Sequence, residues 1–350
     1  MMRLLLLLLV LALTLEAQRT IDLKPYGFRG TSNRDFVPRE FANEIAYLPD
    51  GSLVVAFRSH ALVSGRMPAR VRHMQPTEMI RVDSHGTLLA RTRAFVSPDV
   101  PFLAAAPEGV AVIEGDALVL YTAELKEDKR FEFTREMYQA ELIPEVGAFV
   151  IYERLKDGKA EASVLDLRTL TVRSRYTVPF SSHLAPLGEG YAVVGHDIHE
   201  NRVVKIFSGD GGRAEGKDAL LPMLPCRTML KTISEHDIIA TTCGEWMVFD
   251  ENGSVKLKGH LRADEDSPTI TAAGARLTLT TFVGFAGYPR DEQREHADKL
   301  RVAVYDISSG GKLFSRDLPM PRLGGSAALR RDGKEVAVLK DGEVELINLP

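Results

Sequence analysis

An all-β fold, a closed propeller of seven four-stranded blades, is what this sequence predicts, and three observations carry it. Helical periodicity is nearly absent, a hairpin unit recurs seven times, and a second strand-and-turn unit follows each copy. Short runs rich in Val, Ile, Leu, Phe and Tyr, punctuated by Gly, Asp and Asn, are what antiparallel β-structure requires.

The first unit is two strands joined by a tight turn. Its turns read Leu48-Pro-Asp-Gly51, Ala106-Pro-Glu-Gly109, Ile143-Pro-Glu-Val-Gly147, Leu187-Gly-Glu-Gly190, Ser234-Glu-His-Asp237, Ala272-Ala-Gly274 and Arg331-Asp-Gly333. All but the fifth end in glycine, which tolerates the positive φ of tight hairpins. The second unit is an apolar strand ending in a polar turn residue: Asp83, Thr122, Asp166, Ser208, Asp250, Asp306 and Asn348. Such short side chains can hydrogen-bond the turn backbone. Successive spacings are 39, 44, 42, 42, 56 and 42, and one insertion explains the 56. Two hairpins per unit make four strands, and a period near 42 matches a propeller blade. Six and eight blades are the nearest alternatives, and a parallel solenoid, with its shorter repeats, is the rival fold.

The last unit reaches Pro350 after three strands. Thr20-Ile-Asp-Leu-Lys-Pro-Tyr-Gly27 is expected to dock as its fourth, closing the ring and covering an edge that would otherwise invite aggregation. Residues 18–350 are therefore expected to form a single domain.

Residues 1–17 read as a secretory signal. Arg3 supplies a positive start, and Leu4 to Leu15 form a run of 12 residues, apolar except for Thr14. A bilayer span needs about 20. Cleavage after Ala17 and export to the periplasm or medium are expected, with an uncleaved anchor or a misread start as the alternative. Arg3 and Glu16 cancel, so the net charge of −4 survives cleavage. A weakly acidic chain carries no field for nucleic acid, and no second long apolar stretch offers a membrane span. A monomer is expected.

In Ser326-Ala-Ala-Leu-Arg-Arg-Asp-Gly-Lys-Glu-Val-Ala-Val-Leu339 the chain most resembles exported bacterial β-propellers of the generic WD40-like kind, a resemblance covering roughly residues 18–350. It is a resemblance of architecture. The Gly-His and Trp-Asp pairs of true WD40 repeats are missing, and Trp246 stands outside that context. In propellers that this one resembles, the face carrying the second-to-third-strand connections, or the channel mouth beside it, is commonly the binding surface.

Two long insertions are expected on that face, Ser59–Thr77 in blade one and Gly284–Asp298 in blade six, with the lead-in Arg29–Asn43 entering the same sector. Blades one and six flank blade seven, so the insertions should be neighbours. Long loops on a rigid scaffold are where function usually sits. The first carries Arg58, His60, Arg66, Arg70, Arg72 and His73 with no acid before Glu78; the second mixes Arg290 and Arg294 with Asp291, Glu292, Glu295 and Asp298. The arginine run suits a carboxylate, a phosphate or an acidic partner segment. The plainer alternative is a pair of solvated insertions linked by surface ion pairs, each worth roughly 0–1 kcal/mol.

The expected function is thus an extracytoplasmic binding propeller that takes a protein or an anionic small molecule on the face of blades one, six and seven. The alternative is a hydrolase or lyase acting on a sugar or lactone at the channel mouth. No catalytic residue and no cofactor can be named. Gly324-Gly-Ser-Ala-Ala328 lacks the closing glycine of a serine elbow. There is no sialidase Asp-box, and a single tryptophan is unlike quinone-dependent dehydrogenase propellers. His196 and His199 are weak metal candidates, because residues three apart on a strand point to opposite faces. Asp250-Glu-Asn-Gly253 is too short for a calcium loop and reads as a type I′ turn. For the acids Glu44, Glu78 and Glu245 two readings stand, lining of the channel or, more simply, strand ends in solvent.

Cys226 and Cys243 flank the hairpin turn Ser234–Asp237 symmetrically and are expected to form a disulfide. It would close a loop of about 16 residues and contribute on the order of 3 kcal/mol. Alkylation without reductant should leave both thiols unmodified, and reduction should expose both; labelling of the unreduced protein would remove the bridge.

Overall fold

The computed structural model describes residues 19–28, 43–58, 75–96, 102–180, 182–196, 199, 202–207, 219–221, 228–242, 244–265, 268–284, 297–319 and 326–350. Seven four-stranded antiparallel sheets form the ring. Six are built from consecutive strands. Blade one runs outward from Glu44–Tyr47 through Leu53–Arg58 and Gln75–Val82 to Leu88–Val96. The inner strands of blades two to seven are Leu103–Ala106, Met137–Ile143, Leu184–Leu187, Met229–Thr232, Thr269–Ala273 and Ala327–Leu329.

The seventh sheet combines the two ends of the described chain. Arg19–Asp22 pairs antiparallel with Glu343–Asn348, setting Ile21 opposite Val344 and Asp22 opposite Glu343. This is the closure that the sequence predicts.

Side-chain chemistry accounts for the outer hairpins. Asp83 Oδ1 accepts the backbone N–H groups of His85 and Thr87 at 2.8 Å each, and Asp250 Oδ1 accepts those of Asn252 and Ser254. Asp166 accepts from Arg168 and Thr169, and Asp306 from Ser309. The N–H of Thr87, first among these bonds, holds the Asp83 carboxyl below its ordinary value. The chain then passes through one left-handed residue, Gly86, Gly253 or Gly310. Asn252 does not have positive φ, so the Asp250 turn is not type I′ as expected. It is a turn followed by a left-handed glycine, with a register shift between Val248 and Phe249. In blades two and three Leu125 and Leu170 take the left-handed place. That conformation costs a β-carbon-bearing residue roughly 1–2 kcal/mol. Leu125 is buried in the core, where Leu170 packs beside it, and burial of that size offsets the strain.

The described residues share no single core. Apolar clusters sit between successive blades, such as Val150, Tyr152 and Val164 of blade three against Leu184 and Tyr191 of blade four. The seam between blades seven and one is completed by the N-terminal segment. Ile21 and Leu23 join Val55, Phe57 and Ile80 of blade one, and Phe28 stacks on Phe57 with ring centroids 5.0 Å apart. A polar clasp backs this seam. Glu335, buried in the second strand of blade seven, accepts from Arg19 Nη2 at 2.5 Å, Tyr47 Oη at 2.8 Å and Arg330 Nη1 at 3.2 Å. Three segments thus converge on one carboxylate.

Glu335→Ala should lower stability by about 3 kcal/mol, because it strands a buried tyrosine hydroxyl and two cations. Arg19→Ala, at a more exposed partner, should cost under about 1 kcal/mol. Urea unfolding midpoints decide this, and equal losses would show that the clasp does not depend on Glu335.

Candidate functional site

The strand ends frame both predicted insertions. In blade one the second strand ends at Arg58, paired with Thr77, and the third begins at Gln75. The insertion is therefore 59–74, shorter than expected, because Gln75–Thr77 belong to the sheet. In blade six the flanking strands end at Val283 and resume at Lys299. Both are second-to-third-strand connections, which leave a propeller on one face. The inner strands of blades one and six both touch that of blade seven. His60, Arg66, Arg70, Arg72, His73, Arg290 and Arg294 lie outside the described residues, and of Arg58 only the backbone is described.

The sheets beneath these connections hold their own charges paired. Glu78 sits on the third strand of blade one, buried between Arg91 Nε at 2.9 Å and Arg93 Nη2 at 2.5 Å. Burial opposes its ionisation, but the two guanidiniums prevail and hold its carboxyl below the usual range. It does not line the channel. Neither does Glu245, on the third strand of blade five, 3.2 Å from His260. In blade six Arg301 joins Glu265 to Asp317, the latter at 2.6 Å.

His196 ends the second strand of blade four and His199 is exposed in the connection that follows. Among the described residues no three His, Cys, Asp or Glu side chains come together as metal ligands. Cys226 and Cys243 lie outside the described residues. The flanking inner hairpin of blade five pairs Met229 with Thr241. No helix among the described residues is long and apolar enough to cross a membrane.

Of the three acids named above, Glu44 does reach the channel wall. It opens the inner strand of blade one, and its carboxylate accepts the backbone N–H groups of Phe102 at 3.2 Å and Leu103 at 2.8 Å in blade two. The residue is half-buried, and its carboxyl is packed in protein. Burial pushes its pKa up to about 8, against the pull of those N–H groups and of the Lys231 charge.

Lys231, on the inner strand of blade five, is a junction. Its Nζ donates to the Ile270 carbonyl of blade six at 2.6 Å and pairs with Glu145 of blade three at 2.9 Å. Glu145 belongs to the 3₁₀ turn Pro144–Val146, which contacts the inner strands of blades two and six and so crosses the channel. Its side chain is 3% exposed. The turn thus reaches across the channel on the tight-turn face. Sequence reasoning missed this pair. The available signal was Ile143-Pro-Glu-Val-Gly147, longer by one residue than the Leu48 and Ala106 turns.

Comparison with solved structures agrees with the architecture. Hydrazine synthase of Kuenenia stuttgartiensis matches at 14% identity over 91% of this chain and 98% of that chain, with a TM-score of 0.52. A chain of the mitotic checkpoint complex matches at 12% identity over 95% of each, with a TM-score of 0.50. The Pan2 WD40 domain of Neurospora crassa matches at 11% identity over 88% of each, with a TM-score of 0.48. The fold is a seven-bladed β-propeller. At such identities the likeness extends to fold alone. No protein-family model and no curated protein matches the chain.

Glu44 makes stability depend on pH with a defined sign. Its carboxyl ionises near 4.5 when unperturbed and near 8 in the fold. Between those values the unfolded chain has released a proton that the folded chain keeps, so stability falls as pH rises. Glu44→Gln keeps an acceptor for Leu103 and cannot ionise. Relative to the parent it should gain a few degrees in Tm at pH 8 and little at pH 5. An equal shift at both values would show that Glu44 is ordinarily ionised.

Proposed function

We propose that the protein is an exported binding propeller that engages an acidic protein segment or an anionic small molecule on the face of blades one, six and seven. A propeller fold is in general a scaffold for protein interaction. What supports the particular reading is one coincidence. The longest second-to-third-strand connections belong to the two neighbours of blade seven, and that of blade one carries Arg66, Arg70, Arg72, His60 and His73 without a single acid. The acids in the sheet beneath do not neutralise this run, since Glu78 is occupied by Arg91 and Arg93.

Cationic side chains on a rigid rim attract carboxylates and phosphates through long-range Coulomb forces, and paired guanidiniums grip them bidentately. Binding should therefore weaken as salt rises.

The test compares the mature protein with a variant carrying Glu at positions 58, 66, 70 and 72. Titration with a fluorescent oligo-glutamate peptide and with inorganic phosphate, at low and high salt, accompanies affinity capture from envelope extract. The expected result is salt-sensitive binding of at least one probe, lost from the equally folded variant together with the captured partner. Equal behaviour of both proteins would refute the reading.

A further inference from the structure

Because the blades repeat one register, the same place can be compared from seam to seam on the tight-turn face. Asp237 of blade five, Arg276 of blade six and Glu335 of blade seven open their second strands opposite Asp250, Asp306 and Asn348. One backbone bond recurs in blades six and seven, from Ile307 N to the Ala275 carbonyl and from Leu349 N to the Lys334 carbonyl, 2.8 Å each. Gly274 and Ser308 of blade six therefore hold the places that Gly333 and Pro350 hold in blade seven, and both glycines are left-handed.

At the seam of blades six and seven an arginine caps those places. Arg276 donates from Nη1 to the Gly333 carbonyl and from Nη2 to the backbone oxygen of Pro350, 2.7 Å each. Its stem lies so close that a β-carbon on Gly333 would come within 2.9 Å of Cδ. Neighbouring seams vary the device. The Arg330 stem of blade seven stands 4.0 Å from where a β-carbon on Gly51 of blade one would lie. Arg81 of blade one donates to the Ala123 carbonyl of blade two at 3.1 Å, and Lys129 of blade two to the Arg168 carbonyl of blade three at 2.9 Å. Blade five breaks this series, because Asp237 stands at the Arg276 place. Its carboxylate is turned to Lys256 Nζ at 2.5 Å and to the Ser234 hydroxyl at 3.1 Å. Among the bonds of the described residues, neither the Gly274 nor the Ser308 carbonyl is an acceptor. A β-carbon on Gly274 would meet nothing within 4 Å. The seam of blades five and six instead holds a cleft of about 420 Å³, with Asp237, Lys256, Gly274, Ala275 and Ser308 in its lining.

We infer that this cleft binds a guanidinium group brought by another molecule, in the place that Arg276 fills one seam along. Gly274 and Ser308 are exposed, and the equivalent pair of backbone oxygens in blade seven takes one guanidinium through two parallel bonds. The planar fork suits two acceptors at once, which a single ammonium does not. Asp237 supplies the opposite charge at the same cleft. Its bond to Lys256 leaves room for a second cation, since a carboxylate has about four lone-pair sites. Other carboxylates of this fold take two cations: Glu78 holds Arg91 and Arg93, and Glu335 holds Arg19 and Arg330. An anion would face Asp237 and two carbonyl oxygens with only Lys256 in its favour. The volume falls in the range of small-molecule sites, roughly 300–1,000 Å³. Two sources carry the group, a free guanidino compound and an arginine side chain of a partner protein. The tight-turn face lies opposite the second-to-third-strand connections, so this site is separable from the arginine-rich insertion.

The experiment is saturation-transfer NMR followed by calorimetry with propylguanidine and a capped Gly-Arg-Gly peptide. Capped Gly-citrulline-Gly, an uncharged isostere, and capped Gly-Glu-Gly serve as controls. At least one guanidinium probe should bind, at least about tenfold more tightly than the citrulline peptide, the worth of charge-assisted hydrogen bonds. Peptide binding that exceeds that of propylguanidine assigns the site to a partner protein; otherwise it belongs to a free guanidino compound. Ala275→Trp, at an exposed turn position, fills the cleft and should weaken binding at least about tenfold. Lys256→Met removes the competing cation from Asp237 and should strengthen guanidinium binding about 3-fold. Circular dichroism checks that both variants are folded. The inference is overturned if neither guanidinium probe binds, or if the citrulline or glutamate peptide binds as tightly. It is overturned equally if folded Ala275→Trp keeps the parent affinity or folded Lys256→Met loses it.

Discussion

Everything in this ring rests on the pairing of Arg19–Asp22 with Glu343–Asn348. A propeller has no central core; each blade buries its two faces against its neighbours. Six seams are joined by short connections along the chain, whereas the seventh is joined through Arg19–Asp22, a strand held to the rest of blade seven by non-covalent pairing. If it opened, the apolar faces of blades seven and one would meet water together, and the outer edge of blade seven would lie bare. Ile21 and Leu23 therefore act on both sides of the seam, hydrogen-bonded to blade seven and packed on blade one, where Phe28 adds its ring. The buried carboxylate of Glu335 adds direction, since Arg19, Tyr47 and Arg330 reach it together only when the strand is in register.

The second constraint is the turn that reaches across the channel. Seven inner strands leave an axial space, and one extra residue in the blade-three turn lets Glu145 cross it to Lys231. A buried ion pair contributes little net stability once desolvation is counted, but it fixes which groups meet. Here it ties blades three, five and six at one point and makes the two faces of the ring unequal. The tight-turn face is crossed by this pair; the other carries the long connections and the Glu44 carboxylate.

Local chemistry was readable wherever a residue acts on its own backbone. The recurring acids at 83, 166, 250 and 306 were legible as turn residues, and each bonds the amides of its own hairpin. The exact turn type was not, because Asn252 and Gly253 together suggest a double left-handed turn while only Gly253 adopts it. Leu125 and Leu170 in the left-handed region could not be anticipated either, since their strain is tolerated only through burial among residues far along the chain. The acids divide the same way. Glu44, Glu78 and Glu245 look alike in the sequence, yet one faces the channel, one is clasped by two arginines and one pairs with a histidine.

By itself the sequence determined the number of blades, the four-strand repeat, the closure by the N-terminal strand and the connections that hold the insertions. These follow from periodicity, turn residues and spacing, which are local and repeat seven times. Tertiary structure alone decided the cross-channel pair Lys231–Glu145, the raised pKa of Glu44 and the meeting of Asp237 and Lys256 with Gly274 and Ser308 along one seam. Each of these depends on which blades face one another across the axis or along a seam. Residues 86 positions apart, as Glu145 and Lys231 are, become neighbours only when the ring has closed.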